Sequence, residues 1–197
     1  MELSLDMNKR YTYADYLTWL DGKARELIHG FIQMMSPAPR LSHARINTRI
    51  LWNLESIIKK NKGKCEVFTA PFDVRFPKHG LSDFDQIDSV VQPDICVVCD
   101  LSKLDDLGCC GAPDLIVEIL SPSTAKKDMT EKFSLYEESG VKEYWIVHPK
   151  DKAINVFLLQ EDGKYNDGVL YELKGAVPVY IFNQYPIDLD DIFEIRT

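Results

Sequence analysis

Two carboxylates, Asp94 and Glu118, have the spacing that most directly points to chemistry. Each lies in a short apolar run: Ile95, Val97 and Val98 follow the first, and Leu115, Ile116, Val117 and Ile119 surround the second. Such β-branched runs predict two strands, Asp94–Cys99 and Asp114–Leu120, closed by a loop near Leu104–Gly111. If Cys99 opposes Pro113, the same antiparallel register sets Asp94 directly across from Glu118, with Cβ atoms ~5 Å apart on one face. Two carboxylates facing each other among apolar side chains repel and resist desolvation. A divalent cation resolves that conflict, and oxygen ligands with open water positions suit magnesium or manganese. The alternative is a solvent-exposed carboxylate on one strand and a lysine- or arginine-paired one on the other, which a register slip of one residue produces. Asp114 shares the parity of Glu118 but stands at the loop end, where it reads as a turn residue.

A cation in this place suits hydrolysis of a phosphodiester by metal-activated water, which takes two or three carboxylates and commonly a lysine. A lysine two residues after Glu118 would share its strand face, but that position is Leu120. The helix predicted next, from about Thr124 to Ser139, carries Ala125, Met129, Lys132 and Tyr136 as one stripe, so Lys132 stands where an apolar residue is expected. A lysine there either snorkels to the rim or reaches a buried anion. Lys126 and Lys127, in the first turn, read as solvated charges. Glu26 opens an amphipathic strand, either as a third site carboxylate or as an exposed strand-end charge. His43, at a helix start, either meets phosphate or metal or makes a local hydrogen bond. Ser121 and Ser123 read as turn and capping serines rather than nucleophiles.

These side chains need a framework. Tyr13–Leu20 predicts a short helix capped by Thr12, and Glu26–Met35 a hairpin turning at His29-Gly30. Pro37 and Pro39 break the chain. Ser42 is expected to cap a helix running to about Lys62 and ended by Gly63, with Ile46, Ile50, Leu54 and Ile57 on its buried stripe. Cys65–Phe76 reads as one strand, Lys78–Asp88 as an acidic surface loop, and Tyr144–Val147 as a short apolar strand. Ile154–Leu159 and Leu170–Phe182 read as covering strands. Asp83, Asp85 and Asp88 lack the glycine and final glutamate of a calcium loop. The order predicts an α/β or α+β arrangement of helices and strands around one central sheet, as a single domain over 1–197.

Composition narrows the partners. Of 197 residues, 45% are hydrophobic, enough for a core without staples, and the net charge is −8. A surface of that sign repels polyanions on average, so contact with nucleic acid must use a local basic face. No apolar run is long enough to span a membrane, and the first ten residues hold no secretory h-region, so a cytoplasmic location is expected. The five cysteines then read as reduced thiols. Cys96 and Cys99 form a C-x-x-C, but three residues apart on a strand they point to opposite faces and cannot share a zinc ion.

With these residues assembled, the chain resembles the Uma2 family of restriction-endonuclease-like proteins, within the PD-(D/E)XK nuclease superfamily. The resemblance rests on Tyr13, E-L-I-H-G at 26–30, M-S-P at 35–37, His43 and Pro93-Asp94. It is most specific over P-D-L-I-V-E-I-L-S-P-S-T at 113–124, then Asp128, Lys132, Tyr136 and G-V-K-E-Y-W-I-V at 140–147. It implies a restriction-endonuclease-like core, a central mixed sheet flanked by helices, with the N-terminal hairpin and C-terminal strands added. It also implies that Asp94 and Glu118 bind magnesium, that Lys132 is the lysine displaced from strand to helix, and that Glu26 is a further acidic site residue. The leading expectation is a magnesium-dependent endonuclease acting on DNA. The rivals are a catalytically silent nuclease-fold module for binding or oligomerisation, and a hydrolase of smaller phosphate esters. Exposed C-terminal strands and the aromatics Tyr144, Trp145, Tyr180 and Phe182 suggest a homodimer.

Overall fold

Strand pairing is set by which side chains must leave water, and here alternate residues of each strand enter different cores. The structure, a computed structural model, describes residues 4–35, 40–78, 83–121, 127–172 and 174–194. Strand β6 (Ile95–Val98) pairs antiparallel with β9 (Leu115–Ile119), placing Ile95 against Val117, Cys96 against Ile116 and Val97 against Leu115. One step further, that register carries Asp94 to Glu118, as expected. Parallel to β9 runs β10 (Glu143–His148), followed outward by β11 (Ala153–Leu158) and β12 (Val169–Tyr171). On the other side β3 (Glu66–Thr69) borders β6, completing a six-stranded mixed sheet in the order β12-β11-β10-β9-β6-β3.

One face of this sheet carries Ile95, Val97, Leu115, Val117, Trp145 and Val147. Helix α2 (Leu41–Lys60) covers it with Ile46, Ile50, Leu54 and Ile57. The C-terminal hairpin of β13 (Ala176–Val179) and β14 (Tyr185–Asp188) joins the same core, as does helix α4 (Leu189–Phe193), which was not anticipated. The opposite face carries Cys96, Val98, Ile116, Tyr144 and Ile146, packed against Leu135 and Tyr136 of helix α3 (Phe133–Ser139). That face is also covered by a second six-stranded sheet, where one central sheet was expected. It contains β1 (Arg25–Ile28), β2 (Phe31–Met34), β4 (Val74–Arg75), β5 (Val90–Val91), β7 (Leu104–Asp105) and β8 (Gly108–Cys110), in the order β2-β1-β5-β4-β8-β7. Helix α1 (Tyr13–Tyr16), shorter than expected but capped by Thr12, lies by its outer core of Tyr11, Tyr13, Leu27, Ile32, Ile87 and Val90.

Several expectations change for physical reasons. The run Cys65–Phe76 is not one strand: at Ala70–Pro71 the chain leaves the central sheet, since proline has no N–H for the ladder, and β4 joins the second sheet. The loop between β6 and β9 supplies β7 and β8. Ser42 does not cap α2; the helix begins two residues earlier than a Ser42 cap would set it, at Leu41 after Arg40. The predicted helical stripe is shifted because residues Asp128–Lys132 form a π-helical turn ahead of α3, leaving Met129 exposed and Asp128 buried. Cys65 and Cys99 are joined in a disulfide rather than reduced, because the β3–β6 register that pairs Glu66 with Val98 brings them opposite each other. Tyr144 and Trp145 are fully buried, so neither offers a dimer surface. Pro37, Pro39, Ser123, Thr124, Ala125 and Lys126 lie outside the described residues, as do 79–82 of the acidic loop. Among the described residues no helix is long and apolar enough to cross a membrane.

The second sheet depends on one close approach. Gly108 has φ of +122°, and a Cβ there would stand 2.2 Å from the carbonyl oxygen of Asp73. That contact accompanies the Cys109 N–H bond to Asp73 O at 2.9 Å, which seats β8 beside β4. Gly108→Ala is therefore expected to lower stability by more than about 1 kcal/mol, read as a lower urea midpoint; an unchanged midpoint would show that β8 relaxes freely.

Candidate active site

The space between the two sheets collects the charged side chains. Parity sends Glu118 to the face of β9 that Ile116 shares, and Glu26 to the face of β1 that Ile28 shares, so both carboxylates point into the gap. The segment 127–136 closes the gap from one end. Asp128, Lys132 and Tyr136 recur every four residues and are all buried along this segment.

Lys132 is the hub. Its Nζ lies 2.8 Å from Glu118 Oε1 and 2.8 Å from Glu26 Oε1. The Tyr136 hydroxyl, fully buried against Tyr144, donates to the same Glu118 Oε1 at 2.7 Å. Glu26 also accepts the Gln92 N–H on Oε1 at 3.0 Å and meets Lys127 Nζ on Oε2 at 2.5 Å. Asp94 sits at the entrance of β6. Its Oδ2 accepts the Ile119 N–H at 2.7 Å, so the residue after Glu118 is tied to Asp94 through the backbone. The same oxygen meets His43 Nε2 at 3.1 Å, which places the first turn of α2 beside the carboxylate pair. His43 Nδ1 is buried without a hydrogen-bond partner among the described residues.

The electrostatics follow from this arrangement. Burial, partly opposed by Lys132 and reinforced by Asp128, Asp94 and Glu26, pushes the Glu118 carboxyl up to about 8. Burial alone would discharge Lys132, but Glu118, Glu26 and Asp128 more than offset it and hold the ammonium charged. Burial is the largest influence on both groups, raising Glu118 and opposing the charge on Lys132, and the neighbouring carboxylates favour the proton on each. Glu26 is opposed by burial, yet Lys132 and Lys127 together hold it below the usual range. For His43 burial works against charging, while the hydrogen bond and charge of Asp94 raise its basicity overall.

All five residues singled out from sequence are therefore in or beside one cluster: Asp94, Glu118, Lys132 and Glu26, with His43 on its border. Of the two readings of Glu26, the strand-end charge in solvent is excluded by its burial. Sequence reasoning placed Lys127 in solvent and gave no role to Tyr136, Asp128 or the Gln92 N–H. The four-residue spacing of Asp128, Lys132 and Tyr136 was a usable signal; the Lys127–Glu26 contact, across 101 positions, had none. Asp114 is structural, accepting the Cys99 N–H at 2.8 Å and meeting Lys142 at 2.6 Å.

Among the described residues no three His, Cys, Asp or Glu side chains converge as a metal cage. The donor set is smaller. Among the described residues the hydrogen bonds to the Asp94 carboxylate end on Oδ2 and those to the Glu118 carboxylate on Oε1, which leaves Oδ1 and Oε2 outside them. Two such oxygens fit a hard divalent cation that fills its remaining places with water or substrate oxygen.

A family model described as "Uma2: Putative restriction endonuclease" matches residues 13–178. Among solved structures the chain is similar to the "Crystal structure of a putative nuclease belonging to DUF820" from Anabaena variabilis ATCC 29413, at 1.96 Å resolution. The two share 21% identity over 93% of this chain and 97% of that one, with a TM-score of 0.71. At that identity the likeness speaks for the fold. No curated protein matches the chain.

The raised Glu118 carboxyl has a sign that metal-free protein reveals. Its folded pKa of about 8 exceeds the ordinary 4.5, so the folded state binds this proton more tightly than the unfolded state. The resulting stability is full below 4.5 and is lost as pH rises through about 8. In EDTA, Glu118→Gln is expected to melt close to wild type at acid pH and several degrees higher at alkaline pH. A difference in melting temperature that does not change with pH would count against the assignment.

Proposed function

The chain belongs to the Uma2 family, and from that premise we propose that it is a divalent-cation-dependent endonuclease that hydrolyses DNA phosphodiester bonds, with Asp94 and Glu118 holding magnesium or manganese. The observation that carries this reading is the carboxylate pair itself. It sits on neighbouring strands in a negatively charged gap, and each member has one oxygen pinned by hydrogen bonds. A divalent ion supplies Lewis acidity toward a phosphate oxygen and makes water a better nucleophile.

The chain's own residues do the positioning. The Ile119 N–H orients Asp94, while Lys132 and the Tyr136 hydroxyl fix Glu118 by the same oxygen. Lys132 supplies the positive charge of the site, and Glu26 anchors it from the opposite sheet. His43 supports Asp94 from α2. Homodimerisation belongs to the same proposal. Its support is the sheet edge at β12, where Val169 and Leu170 are exposed, and light scattering tests it.

A second reading, a silent nuclease-fold module, is favoured by the closed Glu26–Lys132–Glu118 ion pairs, which already satisfy much of the cluster's charge. Calorimetric titration separates the two: absence of Mg²⁺ or Mn²⁺ binding at millimolar concentration selects the silent module.

Plasmid and oligonucleotide DNA are expected to be cut by wild-type protein with Mg²⁺ or Mn²⁺. Asp94→Ala and Glu118→Ala should abolish cutting, and Lys132→Ala should slow it by about 10²-fold or more. Equal cutting by all three variants would identify a contaminant and sink the nuclease reading.

A further inference from the structure

The two lysines on Glu26 differ in what they face. Lys132 has a side chain only 4% exposed and is held between two carboxylates, so its ammonium is enclosed by protein. Lys127 is 15% exposed, and among the described residues its ammonium meets Glu26 Oε2 alone. An ammonium has three N–H donors, and the contact with Glu26 takes one of them among the described residues. Glu26 thus holds one lysine inside and one at the rim, an oxygen for each.

The surroundings give that rim cation a use. With a net charge of −8, and with Asp94, Glu118 and Asp128 nearby, the gap repels a phosphate until a local positive group meets it. Lys132 is occupied in balancing the buried carboxylates. Lys127 can keep its contact with Glu26 and still present N–H donors outward, pre-oriented by a side chain that is itself fully buried.

We propose that Lys127 is the residue that binds a backbone phosphate of the nucleic-acid substrate, positioned by Glu26, whereas Lys132 organises the carboxylates; this rests on the nuclease reading above. The contact is to phosphate and so carries no base preference.

The test is fluorescence anisotropy with a labelled DNA duplex, at one fixed Ca²⁺ concentration and over a series of NaCl concentrations. Lys127→Gln is expected to weaken binding to every duplex and to make the plot of log affinity against log salt shallower by about one unit. Lys127→Arg should keep the wild-type slope. Removing Lys127 leaves Glu26 with less compensation. If Lys127→Gln does not fold, the double variant Glu26→Gln/Lys127→Gln replaces the pair with neutral groups of similar shape, and the same loss of slope is expected. A wild-type slope in the folded variant overturns the assignment while leaving the nuclease reading intact. A wild-type chain that neither binds nor cuts DNA overturns both.

Discussion

The ammonium of Lys132, shared between Glu26 and Glu118, is the contact that joins the parts of this molecule that carry the site. Glu26 comes from the second sheet, Glu118 from the central sheet, and Lys132 from the helical segment that closes the gap between them. Removing such charges from water is expensive, and the cost is offset only where geometry is good and the remaining valences are filled. Here the Gln92 N–H, the Tyr136 hydroxyl and Lys127 fill them. The partners come from both sheets and from the segment 127–136, so the cluster forms only when all three are in place.

That dependence shows in how each charged residue is held. Asp128, Lys132 and Tyr136 stand four apart, the spacing that keeps side chains on one helix face, and all three are buried. The π-helical turn Asp128–Lys132 runs directly into α3, with Met129 left outside. The Tyr144 hydroxyl then bonds the Asp128 carbonyl at 3.0 Å, fixing the turn to β10. Asp94 is fixed differently, by the backbone of its partner strand, which makes the distance between the two carboxylates a property of sheet register rather than of side-chain packing. The neighbouring carboxylates are what a cation would neutralise; burial, reinforced by those carboxylates, is the reason Glu118 holds a proton more tightly than a glutamate in water.

Features that depend on periodicity and local pairing are legible in the amino-acid sequence alone. The antiparallel register of β6 on β9, the hairpin at His29-Gly30 and the buried stripe of α2 follow from apolar spacing, because those interactions join residues near in the chain or of matching parity. The oddity of Lys132 on an apolar stripe was visible for the same reason. The remaining features depend on how distant segments pack. A run of alternating residues at 65–76 looks the same whether it serves one sheet or two, and Pro71 changes its partner. Cys65 and Cys99 become neighbours only through strand pairing. Glu26 and Lys127 could each be read as solvated, since a charge reveals nothing of its burial until distant elements pack over it. The carboxylate pair belongs to local register; the ammonium groups that hold it belong to the packing of two sheets.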